Sequence, residues 1–171
     1  SGTVVQAMPQ TNQALNFARA LNQVPAVLGQ MKNIGQAQAV EDFSQMSEDE
    51  RKAAMADDKK ISRWLGYDKA FQEELVKDHF VRNSQTYSQR FTSLAANPAE
   101  YVDDAAFDKA ITDEKQAIIG ELQEEFGNNP NRVVAINAFG DKTMTEIIAA
   151  TTEMYEANKI SGIISFKATN L

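Results

Sequence analysis

The sequence predicts an all-α fold, an irregular multi-helix bundle of about six to eight helices. Three observations carry the prediction. Apolar side chains recur at three- and four-residue spacing along most of the chain, which lines up one face of a helix. Ser47–Glu50 and Thr143–Glu146 both match the capping-box pattern, in which a hydroxyl and a carboxylate three residues later satisfy free backbone donors at a helix start. Stop signals at Gly66, Asn97-Pro98 and Gly127-Asn128-Asn129-Pro130 then cut the chain into helix-sized pieces.

The elements follow in order. Ala14, Leu15, Ala18 and Leu21 form a first stripe, with Thr11 or Asn12 as its cap. Pro25 suits the first turn of a second helix, where its missing N–H costs nothing, and Val24, Leu28, Met31 and Ile34 give that helix an apolar face with Val27 beside it. The box at Ser47 opens a helix with Met55 inward and Glu48 paired to Lys52. A further turn carries Ile61, Trp64 and Leu65, and Gly66 supplies a left-handed stop. Asp68 caps the next segment, whose stripe of Phe71, Leu75, Val76 and Phe80 continues through Tyr87, Phe91 and Leu94. The pattern favours one long helix there over a break after Asn83-Ser84.

Beyond Pro98, Asp103 caps a short helix through Phe107 and Ile111, and Thr112 or Asp113 caps another with Ile118, Ile119, Leu122 and Phe126 inward. A short helix with Val133, Val134 and Ile136 ends at Gly140, and the box at Thr143 opens one with Ile147, Ile148, Thr151, Met154 and Tyr155. The β-branched run from Ile160 to Phe166 leaves two forms open: an extended C-terminal tail docked on a neighbour, or a coil closing its own domain. The expected core includes Leu65, Phe71, Leu75, Phe80, Phe91, Ile111, Ile118, Leu122, Ile147 and Ile148.

Composition narrows the function classes. The chain has 171 residues, a hydrophobic content of 43% and a net charge of −7, which suits a folded acidic domain and excludes extensive disorder. No Lys/Arg cluster exists to neutralise phosphates, so nucleic acid is not an expected partner. With no cysteine, disulfides, thiolate metal sites and cysteine nucleophiles are ruled out. No run approaches the roughly 20 apolar residues of a bilayer span, and no signal peptide is visible. Residues 1–46 read as a Gln/Asn/Ala-rich helical arm, with Arg19, Lys32, Glu41 and Asp42 its only charged side chains, and residues 47–171 as a compact helical domain.

Chemistry-bearing candidates are few. His79 is the sole imidazole, and its helical neighbours Leu75, Val76, Arg82 and Asn83 offer no second metal ligand; it reads as a structural boundary histidine. The like-charged pairs Glu74/Asp78, Asp104/Asp108 and Glu121/Glu125 read as solvated helix surface. No Gly-x-Ser-x-Gly, phosphate loop or EF-hand pattern occurs. No catalytic residue, metal ligand or cofactor is therefore expected. The unusual feature is the amide-rich polar face of the arm (Gln6, Gln13, Gln23, Gln30, Asn33, Gln36), which is cheaper to bury against other subunits than a charged face because no ion is desolvated.

The Ala/Gln/Asn-rich start from Ala14-Leu15 through Ala39, the segment Met46-Ser47-Glu48-Asp49-Glu50-Arg51-Lys52-Ala53 and the charged helices with Asn-Pro and Asp-Asp breaks give the first hundred or so residues a texture that resembles internal virion and ejection proteins of tailed bacteriophages. That resemblance implies a helical, cysteine-poor virion component and carries over no functional residue. The expectation is a non-enzymatic structural or assembly protein, a homo-oligomer of virion or cytoplasm, acting through helix-face packing. Leu15, Leu21, Leu28, Met31, Trp64 and Tyr67 are its candidate interaction surface. The alternatives are a secreted or translocated effector binding a partner protein, and a carboxylate-based, muramidase-like hydrolase, which needs two acids about 5–10 Å apart across a cleft.

Overall fold

A computed structural model describes residues 25–57, 61 and 65–169, with side chains through residue 163. The described chain is all helical: α1 (residues 25–44), α2 (Glu48–Ala56), α3 (Tyr67–Arg82), α4 (Ser84–Ala95), a 3-10 turn at Pro98–Glu100, α5 (Asp104–Phe126) and α6 (Pro130–Thr169). The stripe at Ala14–Leu21, with Leu15 and Leu21, and the Trp64 position lie outside the described residues. Two compact units emerge: residues 1–45 with 61–71, and residues 46–60 with 72–171. Segment 61–71 thus groups with the first unit, whereas a contiguous division at residue 46 assigns it to the second.

In the first unit, α1 turns Ala39 and Phe43 inward and Phe43 meets the edge of Phe71, with ring centroids 6.4 Å apart. The Tyr67 ring stacks on Phe71 at 5.7 Å and its hydroxyl donates to Asp42 Oδ2 at 2.7 Å. Gly66 has φ +79, and a Cβ there would lie 2.8 Å from Lys32 Cγ and 3.0 Å from the Lys32 carbonyl. Both the left-handed turn and the close approach of α1 demand glycine. Leu65, expected in the core, is half exposed in the turn that Gly66 makes. Asp68 lies inside the first turn of α3 instead of preceding it, where its carboxylate accepts from the Ile61 backbone N–H at 2.8 Å.

In the second unit the Ser47 capping box forms as expected. Ser47 Oγ accepts from Glu50 N at 3.1 Å, Ser47 N donates to the Glu50 carboxylate at 3.2 Å, and Met55 is buried. Asp103 caps α5 through Ala106 N at 2.8 Å, and Pro130 opens α6. Phe91, Ile118, Leu122, Ile136 and Met144 line the core among α4, α5 and α6.

Four expectations need correction. The expected long helix is interrupted at Asn83 (φ −106, ψ 10), where the His79 carbonyl accepts both the Asn83 backbone N–H at 3.0 Å and its side-chain amide at 2.8 Å. No new helix starts at Thr112 or Asp113, because α5 is continuous: the Thr112 hydroxyl donates back to the Asp108 carbonyl and Asp113 pairs with Lys109. No helix ends at Gly140 or starts at Thr143, because α6 runs straight through both. Gly140 faces the Phe80 ring, whose Cζ would lie 3.1 Å from an added Cβ, so this glycine serves close helix packing and not a stop. The Thr143 box is inoperative, and the Thr145 hydroxyl donates to Asp141 O instead. Ile147 and Ile148 are only half-buried, since the inward stripe of α6 passes through Met144, Thr151 and Tyr155.

Arg132 holds this unit together. Its side chain is 0% exposed, and Asn129 Oδ1, accepting from Asn131 N at 2.9 Å, fixes the first turn of α6 from which it projects. The guanidinium donates from Nε to Gln72 Oε1 (2.8 Å), from Nη1 to Met55 O (2.6 Å) and from Nη2 to Ala54 O (3.1 Å) and Asp57 O (2.9 Å). Those carbonyls belong to the last turn and the C-cap of α2, where no intrahelical donor reaches them. Replacing Arg132 with Met should cost about 3–5 kcal/mol of unfolding free energy, because several buried acceptors lose charged donors at once. Replacing it with Lys should recover under half, since one ammonium cannot span the fork. Urea denaturation followed by circular dichroism checks both; a loss below about 1 kcal/mol for Met would contradict this role.

Candidate functional site

His79 is half-buried on α3. Its Nε2 lies 2.8 Å from the Tyr87 hydroxyl and its Nδ1 lies 3.4 Å from Asn83 Nδ2. The Asn amide nitrogen can only donate, so the ring proton is assigned to Nε2, which donates to Tyr87. The imidazole meets the Phe126 ring at 5.4 Å and the Phe80 ring at 6.0 Å. Burial is the main cause that lowers its pKa to about 4, with Arg82 adding to the shift and Asp78 opposing it. Burial likewise pushes Tyr87 up to about 12. A cavity of about 300 Å³ beside the ring is lined by Lys52, Arg82, Glu125 and Phe126 among others. With both ring nitrogens engaged in hydrogen bonds, the arrangement is that of a helix-joining bond between α3 and α4, consistent with the structural reading of His79.

Four of the six acids singled out by sequence, Glu74, Asp78, Asp104 and Glu121, pair with cations on other turns and helices. Asp78 accepts from Arg82 Nε at 2.6 Å and from Arg51 Nη1 at 3.4 Å. Glu121 receives both terminal nitrogens of Arg90, at 2.6 and 3.0 Å, while Arg90 Nε bonds Glu114, so one guanidinium joins α4 to α5. Glu74 pairs with Lys77 at 3.4 Å. Asp104 accepts from the Tyr155 hydroxyl and from Lys159 Nζ, each at 2.9 Å, and these bonds hold its carboxyl below the usual range. Among the described residues no three His, Asp or Glu side chains gather in a way that could hold a metal ion.

Asp104 borders a groove of about 760 Å³ between the Ala96–Asp104 segment and α6. Its floor is the Tyr155 ring, stacked on Phe107 at 3.8 Å with 2° between the planes, and the Tyr101 ring, which meets Phe107 edge-on. Tyr101 donates to Leu94 O at 2.7 Å and Asn158 Nδ2 to Ala95 O at 2.9 Å, which fix the groove's walls. Apolar side chains stand open at its rim: Val102 is 92% exposed and Ile163 56%.

The candidate interaction residues divide. Leu28 and Met31 are half exposed on α1, with Val27 and Ile34 exposed beside them. Every described residue from 25 to 34 is exposed. Tyr67 is 2% exposed and belongs to the core of its unit, because its ring is stacked on Phe71 and its hydroxyl is tied to Asp42; it presents no surface for a partner. Leu15, Leu21 and Trp64 lie outside the described residues. The groove above Tyr155 was missed in sequence. The signal available was Tyr101, just after the predicted break at Asn97-Pro98.

The single histidine gives one imidazole signal to follow by NMR. Because the folded chain binds its proton more weakly, the unfolded chain takes up a proton first as pH falls below about 6.5. Folding stability should therefore drop between about 6.5 and about 4, by a few kcal/mol at most, and His79→Gln should remove that part of the pH dependence. A native-state midpoint near 6.5 would contradict the buried, hydrogen-bonded ring. Comparison with protein-family models, curated proteins and solved structures finds no significant match for this chain.

Proposed function

We propose that the chain is a non-enzymatic helical assembly protein that works by burying helix faces against other subunits. The observation that carries this reading is the open start of α1. Val27, Leu28, Met31 and Ile34 share one face at helical spacing, all four are exposed, and Lys32 is the only charged side chain between residues 25 and 40. A face of this kind on a surface helix is ordinarily turned to a core. The rest of its circumference carries amides such as Gln30 and Asn33, which lose less on desolvation than ions would.

Magnitudes support assembly over a solitary exposed helix. The four side chains leave roughly 350 Å² of mostly apolar surface, worth about 9 kcal/mol at ~25 cal/mol per Å² when covered. Association itself costs on the order of 4–15 kcal/mol, so one such face against a polar surface is insufficient. Two matching faces are enough, which favours copies of the same chain or subunits with similar helices. A virion interior, named by the sequence resemblance, is one setting for such packing. The ion pairs and hydrogen bonds that occupy His79, Asp78, Asp104 and Glu121 support structural roles for these groups.

Sedimentation velocity on the full chain should show association that grows with concentration. Met31→Glu with Ile34→Glu should weaken it at least about 100-fold, since each buried carboxylate costs more than about 1.4 kcal/mol, a factor of ten. Unchanged association in that variant, or a strict monomer in the parent at high concentration, would contradict the reading.

A further inference from the structure

The α1 face carries one oxidisable group. Val27, Leu28 and Ile34 end in hydrocarbon, whereas Met31 carries a thioether and is 48% exposed. Met31 also holds the central position. Val27 and Leu28 lie four and three residues before it and Ile34 three after, so Met31 alone has every other member of the face within about one helical turn. We propose that Met31 is a modification site, at which hydrogen peroxide converts the thioether to the sulfoxide and so releases assembled subunits. The inference rests on the reading of α1 as an assembly face and adds a means of regulating it.

Composition and burial together direct an oxidant to this sulfur. The chain has no cysteine, so no thiolate reacts first. Among the described methionines, Met55 is 3% and Met144 0% exposed, both shut into a core, and Met46 is half-buried between α1 and α2. The open sulfurs are those of Met31 and of Met154, which is 41% exposed on α6. Met31 alone of these lies on the α1 face.

The step needs no catalytic group. A sulfur lone pair attacks one peroxide oxygen, and the S–O bond forms as the O–O bond breaks. The departing hydroxide takes the remaining peroxide proton and leaves as water. Sulfur loses two electrons and peroxide gains them. The product carries one strongly polar oxygen in the middle of an apolar patch. That oxygen must be hydrated or hydrogen-bonded, and the aliphatic side chains of a matching subunit supply neither. Position matters here. A polar atom at the rim of a contact keeps its water, while one ringed by Val27, Leu28 and Ile34 loses it once the face is covered. Covering also keeps peroxide from the sulfur, so the oxidant acts on the free subunit and withdraws it from the equilibrium. Methionine sulfoxide reductases reverse the change, which makes it a switch.

Sedimentation velocity on the full chain before and after dilute hydrogen peroxide tests the proposal, with oxidation at each methionine followed by mass spectrometry. Complete oxidation at Met31 should weaken self-association at least about tenfold with the helical circular dichroism retained, and reductase treatment should restore it. Met31→Leu, whatever its own affinity, should associate equally with and without peroxide. Met154→Leu should stay as sensitive as the parent. Oxidation of Met31, but not of Met154, should slow as protein concentration rises. Association that persists with Met31 fully oxidised, a peroxide effect undiminished in Met31→Leu, or a treated chain that loses its helical signal would overturn this proposal and leave the α1 reading standing. A parent that is monomeric before any peroxide is added would overturn both.

Discussion

A guanidinium shut away from water has to be met donor by donor, and the Arg132 site shows what that requirement imposes on the second unit. Its partners come from α3 through Gln72 and from three carbonyls around the end of α2, some 75 to 78 positions earlier in sequence. The placement carries an electrostatic penalty. A cation in the first turn of α6 opposes that helix's positive end, at a cost of about 0.3–1 kcal/mol. The negative end of α2 acts on the charge in the opposite sense, and each hydrogen bond to a charged donor contributes about 1.5–3 kcal/mol. The bonds outweigh the penalty several-fold, which is why Arg132 can sit where a sequence rule would place an acid. The consequence is positional: α2, α3 and α6 must meet at one place, with Asn129 holding the start of α6 so that the side chain aims correctly.

From that fixed start, α6 acts as the spine on which its neighbours are arranged. Gly140 lets Phe80 of α3 come close, Lys77 of α3 rests over Phe139 with its Nζ 4.9 Å from the ring centroid, and Tyr155 stacks on Phe107 of α5. The charged groups on these helices serve the same arrangement. Arg90 clasps α5 to α4, Lys115 pairs with Asp141, and Lys159 with Asp104. Exposed pairs of this kind contribute little each, about 0–1 kcal/mol. Their main effect is on register, since only one sliding position of α5 against α4 and α6 brings all of them into range. The bulk of stabilisation comes instead from the buried aromatics and aliphatics such as Phe91, Phe107, Ile118 and Ile136.

Local signals were legible where the chain itself satisfies its own backbone. The Ser47 box, the Asp103 cap, the Gly66 turn and the turn ending at Pro130 all involve partners within a few residues, and each forms as the residues dictate. Signals failed where a tertiary contact reassigns a residue's purpose. Gly140 and the Thr143 box look like a helix boundary until Phe80 is seen lying on the glycine. Thr112 looks like a cap, but its hydroxyl is equally satisfied by the carbonyl four residues back, and Ile111 and Ile118 bury on one uninterrupted face. Asn83 works the other way: an amide with little weight in an apolar-periodicity count sits at a helix break, its side chain bonded to the His79 carbonyl. Arg132 left no sequence signal at all, because its partners are mostly main-chain carbonyls, which every residue has. On the candidate surfaces, the α1 stripe was readable as periodicity, while Tyr67 was misplaced because an aromatic's exposure depends on which ring meets it.

Electrostatics decides how such a chain can associate at all. A net charge of −7 makes two copies repel, but at physiological ionic strength the screening length is about 8 Å, shorter than the distance between the centres of two such domains. The global repulsion is therefore mostly lost in salt before contact is made. What survives is the local pattern within a few ångströms of the touching surfaces. Along α1 that pattern is nearly neutral, so apolar burial is unopposed there. Beside Tyr155 the charges are already matched within the chain, Lys159 to Asp104, so that end offers little net charge to a neighbour. The proposed α1 face would thus give adhesion with little choice of angle. An assembly through that face would draw its strength from apolar burial and would need further contacts to set its geometry.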